Sequence, residues 1–129
     1  MSSPKRKFTY FQSGSTRYCD SSSGSSSEWS DWSGPAWYRV VGGAGTKLNT
    51  HVFPKLNYGE CNSNRGGWIE GGHPSIPAGV TVTRKIRFDR TGFTRTDLNH
   101  DIDITNCNGF FVYNLPGISS CSLRYCTQP

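Results

Sequence analysis

Apolar positions recur along this chain with a period of two, and no segment carries a helical stripe longer than a turn or two. The clearest case is Val80-Thr81-Val82-Thr83-Arg84-Lys85-Ile86-Arg87-Phe88. Val80, Val82, Ile86 and Phe88 share one face of a strand, and Thr81, Thr83, Lys85 and Arg87 share the other. Arg84 has the parity of the apolar face. It sits either at a bulge or turned inward to a carboxylate or backbone carbonyls, and a paired, structural arginine is expected there. Asp101-Ile102-Asp103-Ile104-Thr105 alternates cleanly and reads as a half-exposed strand. Phe110 to Tyr113 is aromatic and β-branched, between the turn residues Asn108-Gly109 and Leu115-Pro116-Gly117, and suits a central strand packed on both faces. Trp37 to Val41 starts another strand, entered through Gly34-Pro35, and Thr46 to Phe53 is a candidate for one more.

Between these runs the chain is loop. Residues 1–12 are polar and basic, with Phe8, Tyr10 and Phe11 at near-alternate positions, and form an N-terminal tail or an edge strand. Residues 13–36 are a serine-rich loop interrupted, and so anchored, at Cys19. Residues 37–129 hold the strand pattern. The expected fold is mainly β: a small, disulfide-stapled single domain of short antiparallel strands, long loops and little helix.

Composition sharpens this picture. The chain of 129 residues is 33% hydrophobic but 13% aromatic. Aromatic side chains bury large areas, so a small core is feasible, with cysteines supplying the remaining support. Five cysteines in a Gly-, Ser- and aromatic-rich chain indicate an oxidising compartment. With one cysteine left over they allow fifteen pairings. No apolar run approaches the ~20 residues of a membrane-crossing helix. Met1 is followed by Lys5-Arg6-Lys7 rather than by a signal peptide, so an extracellular location requires that this chain be cut from a longer precursor. The net charge of +5 is spread out, apart from Lys5-Arg6-Lys7 and Arg84-Lys85-Arg87. It describes a solvated surface rather than a nucleic-acid patch.

Candidate chemistry is sparse. Gly42-Gly43-Ala44-Gly45 lacks the Gly-Lys-Ser/Thr ending of a phosphate loop and reads as a tight turn. Asp97, Asp101 and Asp103 lack calcium-loop spacing. His51, His73 and His100 stand in no catalytic context, and His73 in Gly-Gly-His-Pro reads as a turn residue donating to backbone. Cys121, Cys126 and a histidine lack the paired short spacings of structural zinc. No catalytic residue, metal ligand or cofactor is expected. Glu28-Trp29-Ser30-Asp31-Trp32-Ser33 resembles the tryptophan ladders of thrombospondin repeats, without their cysteine and arginine pattern. Its indoles are expected to fold down over the core instead.

Several residues occur in an order that resembles a known domain. These are Trp37-Tyr38-Arg39 with Gly42, then Gly71-Gly72-His73-Pro74-Ser75, Arg84-Lys85, Gly109 with Val112-Tyr113-Asn114-Leu115, Cys121, and Tyr125-Cys126-Thr127. The order is similar to the cysteine-rich domain that precedes the zona pellucida module in uromodulin and the related pancreatic zymogen-granule membrane glycoprotein, and it covers residues 37–129. Tyr18-Cys19-Asp20 matches the cysteine ahead of the Trp-Tyr-Arg run. The resemblance implies a compact, mainly β, non-enzymatic extracellular module of a larger glycoprotein. It implies pairing of Cys19 with Cys121 and of Cys61 with Cys126. It leaves Cys107 without a partner in this chain, as a buried inert thiol or as an exposed one inviting a covalent dimer. Pro116 replaces the hydroxyl residue of the family's glycosylation sequon after Asn114-Leu115, and the chain contains no Asn-x-Ser/Thr.

Two functional classes follow. The first is a non-catalytic extracellular interaction or structural module of a secreted or membrane-anchored glycoprotein, with a protein or glycan partner and no direct membrane insertion. The second is a carbohydrate-binding, lectin-like domain in which Trp29, Trp32 and Trp68 stack on sugar faces beside Asn64 and Arg65.

Overall fold

Apart from Arg84, Val82 to Ile86 and Ile102 to Thr105 alternate apolar and polar residues in matching phase, so pairing them antiparallel sets Val82 beside Ile104 and Thr83 beside Asp103. A computed structural model shows that pairing and describes residues 1–2, 20, 34–52, 61, 65–89, 99–118 and 123–129. Eight strands are assigned among these residues: β1 Ala36–Arg39, β2 Lys47–Leu48, β3 Arg65–Ile69, β4 Thr81–Arg87, β5 His100–Asn106, β6 Phe111–Leu115, β7 Leu123–Tyr125 and β8 Thr127–Gln128. The one helical element among them is a single 3-10 turn, Gly42–Ala44. Six strands form one sheet in the order β1-β6-β5-β4-β3-β7, and β2 pairs with β8 in a second, small sheet.

The register sorts the residues by face. Tyr38, Tyr113, Ile104 and Val82 lie in one row across β1, β6, β5 and β4, and Leu115, Ile102 and Arg84 lie in the next. This inner face carries the core, where Ile86, Phe88, Ile104, Tyr113 and Leu115 are fully buried and Ile102 nearly so. The outer face is polar and matched pair by pair. Thr81 Oγ1 meets Thr105 Oγ1 at 2.6 Å, Thr83 donates to Asp103 at 2.8 Å, and Lys85 Nζ lies 3.6 Å from Asp101. The two aspartates therefore serve cross-strand pairing.

Several expectations change. The strand at 110–115 is second from the sheet edge rather than central, and it buries one face: Tyr113 and Leu115 are buried and Phe111 on the same face packs against the core, whereas Val112 and Asn114 on the other are half-exposed. The reason is the topology, which gives the outer face no second layer among the described residues. The strand expected over 46–53 is only the two residues of β2. After Leu48, the Asn49 and His51 backbone turns on the Asn49 side chain, which accepts from His51 N–H at 2.9 Å and donates to His51 O at 2.9 Å. The strands are antiparallel with one exception, β3 with β7, which pair parallel through Arg65↔Leu123, Gly66↔Arg124 and Gly67↔Tyr125.

Arg84 has no ion pair or hydrogen bond among the described residues; Arg87 is the paired arginine. Its guanidinium holds both carboxylate oxygens of the buried Asp89 and donates to Glu70 at 2.8 Å. The reason lies in β3, which covers β4 only at Trp68↔Arg87 and Ile69↔Ile86. Arg84 lies beyond the end of that cover and is half-exposed. Gly67 lets β3 lie this close to the core: a Cβ there would stand 2.8 Å from Phe88 Cε1.

Candidate functional site

The best-anchored region is the seam where β3, β7 and β8 meet. A disulfide joins Cys61 to Cys126, with their Cα atoms 5.7 Å apart and 65 positions of chain between them. Arg124 is buried beside it and donates from Nη1 to Cys61 O at 3.0 Å. Asn49 completes the seam: its N–H donates to Cys126 O, and its carbonyl accepts from Ile69 N–H, both at 2.9 Å. Burial of a guanidinium is tolerable only where hydrogen bonds replace its water, so the bond from Arg124 adds a second tie to the loop at Cys61.

Trp68 packs against that disulfide and is half-buried. Its indole N–H donates to Asp89 O at 2.9 Å, and the Arg87 guanidinium carbon lies 5.5 Å from its ring centroid. Trp68 thus covers one side of the bridge, and the indole expected from the sequence to stack on sugars is only half-exposed. The exposed indole among the described residues is Trp37, 51% accessible. It stands in the outer-face row with Asn114 and Asp103. Trp29, Trp32, Asn64, Cys19 and Cys121 lie outside the described residues, as does the Arg65 side chain.

Asp20, the residue after Cys19, is buried. Its N–H donates to Leu123 O at 3.2 Å, its carbonyl accepts from Ile118 N–H, and its carboxylate accepts from Tyr125 N–H, the last two at 2.9 Å. Asp20 therefore sits against the two segments that flank Cys121 in sequence.

The three histidines are hydrogen-bonded side chain to side chain. His73 does not donate to backbone, as its turn sequence suggests; instead its Nε2 meets the Tyr113 hydroxyl at 2.7 Å. That hydroxyl already accepts from Leu48 N–H at 3.1 Å, which favours donation of its own proton to His73 Nε2, with the ring proton on Nδ1. Burial, aided by the charge of Lys47, pushes His73 down to about 4. His100 has the opposite tautomer. Tyr125 Oη donates to Pro116 O at 2.6 Å, so His100 Nε2 donates to the phenol oxygen at 2.7 Å. Burial lowers the His100 pKa against the opposing pull of Asp101. His51 Nδ1 lies 3.3 Å from Asn49 Oδ1 and 3.2 Å from Gln128 Oε1, both acceptors. Each imidazole thus holds strands together.

Cys107 is a free, half-buried thiol in the β5–β6 hairpin. The turn is the Asn108-Gly109 pair read from the sequence, with φ of 59° and 112°, closed by Cys107 N–H donating to Phe110 O at 2.8 Å. Among the described residues no three His, Cys, Asp or Glu side chains cluster as metal ligands, and no helix is long and apolar enough to cross a membrane.

A family model for the uromodulin-like cysteine-rich domain matches residues 38–127. This chain belongs to the uromodulin-like domain family. It is 31% identical over 94 residues to uromodulin of Mus musculus and 32% identical over 104 residues to uromodulin of Rattus norvegicus, each match covering 72% of the chain and 14% of the relative. It is also 31% identical over 102 residues to the pancreatic secretory granule membrane major glycoprotein GP2 of Rattus norvegicus, covering 72% of the chain and 17% of the relative. The chain thus spans well under a fifth of the length of these relatives, and what it shares with them is this one uromodulin-like domain.

Proposed function

We propose that this uromodulin-like domain is a non-catalytic interaction and spacing module of a larger extracellular glycoprotein, secreted or membrane-anchored. One observation carries the reading: the Cys61–Cys126 bridge is built into the core, with Arg124, Trp68 and Asn49 arranged around it. A fold with its seam built around a bridge suits an oxidising compartment. Membership of a family whose relatives include a secretory granule membrane glycoprotein supports the same placement. The histidines, each bonded within the scaffold, support a role without catalysis. Cys19 and Cys121 form the second bridge in this reading, and Asp20, lying against Ile118 and Leu123, supports it. Cys107 is then the thiol available for a covalent dimer or for a segment beyond this chain. Expression through a secretory host and, separately, in a reducing cytosol tests the compartment. Folded, monodisperse protein is expected only from the first.

A second reading, carbohydrate binding, is favoured by Trp37. An indole half open to water beside Asn114 and Asp103 offers an apolar platform and polar groups for sugar hydroxyls. It replaces Trp68 as the platform; Trp29, Trp32 and Asn64 remain candidates beside it. Glycan-array binding abolished by Trp37→Ala and retained in Trp68→Phe supports this reading.

A further inference from the structure

The described residues leave two cations facing one cleft without carboxylate partners. A cavity of about 570 Å³ opens between the turn at Val41–Thr46 and the β5–β6 hairpin, with Arg39 and Lys47 in its lining. No acidic residue lines it among the described residues. Among the other described residues, Lys85 is engaged with Asp101, Arg87 with Glu70 and Asp89, and Arg124 with Cys61 O. Arg84, the other unpaired one, lies on the opposite face of the sheet from Arg39.

Arg39 is held in a way that suits anion binding. Its guanidinium carbon lies 3.6 Å from the centroid of Phe110. A guanidinium held over a ring loses freedom, and its fork of N–H groups can grip a carboxylate or sulfate by two bonds. Lys47 acts on the same region, since its charge helps depress His73, which stacks on Phe111 at 5.0 Å between centroids. Phe111 and the 40% exposed Val41 give the cleft apolar surface.

We infer that this cleft binds an acidic sugar residue, a pyranose bearing a carboxylate or sulfate, with Arg39 and Lys47 on the anion and Phe111 and Val41 against the C–H face of the ring. The assignment deepens the binding-module reading by naming a ligand. The volume suits one or two sugar rings. An acidic peptide fits less well. Peptides commonly dock by adding a strand to a sheet edge, and here that edge of β1 is occupied: Met1 N donates to Arg39 O at 3.0 Å, and Val41 N–H donates to Met1 O at 2.9 Å.

Titration calorimetry at low salt tests this with methyl glucuronide, glucose 6-sulfate, methyl glucoside and a short poly-glutamate peptide as probes. Saturable binding of either acidic sugar is expected, with at least tenfold weaker binding of methyl glucoside. Arg39→Gln and Lys47→Gln should each weaken it about tenfold, while Arg84→Gln, on the opposite face of the sheet, should leave it unchanged. The two acidic sugars separate carboxylate from sulfate preference. Equal binding of acidic and neutral sugars, binding indifferent to both substitutions, or binding of the peptide alone would overturn the assignment. So would no binding at all by a protein shown to be folded. Neutral-glycan binding that depends on Trp37 would overturn this site and leave the glycan reading standing. Loss of every interaction, protein partners included, would remove the module reading itself.

Discussion

Tyr113 joins the small sheet to the large one through a single oxygen. Its hydroxyl accepts from Leu48 N–H at 3.1 Å and lies 2.7 Å from His73 Nε2. Burial pushes the phenol's pKa upward, so it keeps its proton for the histidine. Tyr113→Phe removes both bonds and leaves a buried amide unsatisfied. A loss of about 1–3 kcal/mol is expected, read as a lower urea midpoint with an unchanged m-value.

The same pair sets a pH dependence. His73 titrates at about 4 when folded, against an ordinary value near 6.5 when unfolded. Between those values the unfolded chain binds a proton that the folded one does not. His73's contribution is therefore complete above pH 6.5 and declines as pH falls toward 4. His100, also lowered, acts with the same sign. A drop of about 2 kcal/mol from His73 is expected between pH 7.5 and 5. Urea unfolding at the two pH values measures it, and His73→Gln should flatten the difference. A midpoint that rises on acidification would contradict the assignment.

Arg87 and Arg84 differ by three positions and should differ sharply in consequence. Arg87→Ala takes the guanidinium from the buried Asp89 and from over the ring of Trp68, with an expected loss of about 2–4 kcal/mol. Arg84→Ala should fall within about 0.5 kcal/mol of the parent. Thermal unfolding of the two variants side by side settles the contrast.

Non-reducing peptide mapping should find Cys61 linked to Cys126, Cys19 linked to Cys121, and Cys107 open to alkylation once the protein is denatured. Removing the Cys61–Cys126 bridge by double serine substitution should cost about 4 kcal/mol. Cys107→Ser should abolish any covalent dimer on a non-reducing gel without lowering the melting temperature by more than a degree or two.

Gly45 closes the turn beneath the cleft at a φ of 107°, and a Cβ there would run into Gln128 O. Gly45→Ala is expected to destabilise by at least about 1 kcal/mol. It should also loosen the β2–β8 pair, seen as faster amide exchange at Thr46, whose N–H donates to Gln128 O at 3.0 Å.

Much of the scaffold was legible from alternation alone. The strands at 81–87 and 100–106, the Asn108-Gly109 hairpin and the glycine turn at 42–45 all follow from local pattern, because period two and turn chemistry act over a few residues. What escaped was non-local. Nothing near Trp68 in the sequence announces that the bridge lies against it. Arg84 has the right parity for burial, but its fate depended on how far β3 extends. His73 sits in turn sequence, yet its partner is 40 positions away. The parallel pairing of β3 with β7 depends on a crossover that leaves no local mark. The Arg39–Lys47 cleft likewise joins residues from β1, β2 and the distant β5–β6 hairpin.

The placement of β7 and β8 has a consequence for biogenesis. Residues 123–128 are all buried, and they supply partners to β2, β3, Asp20 and Cys61 at once. A ribosome-bound chain lacking them exposes the unfilled flank of β3 and a lone Cys61. The large sheet can therefore be completed only after β7 has emerged, and the small sheet only after β8.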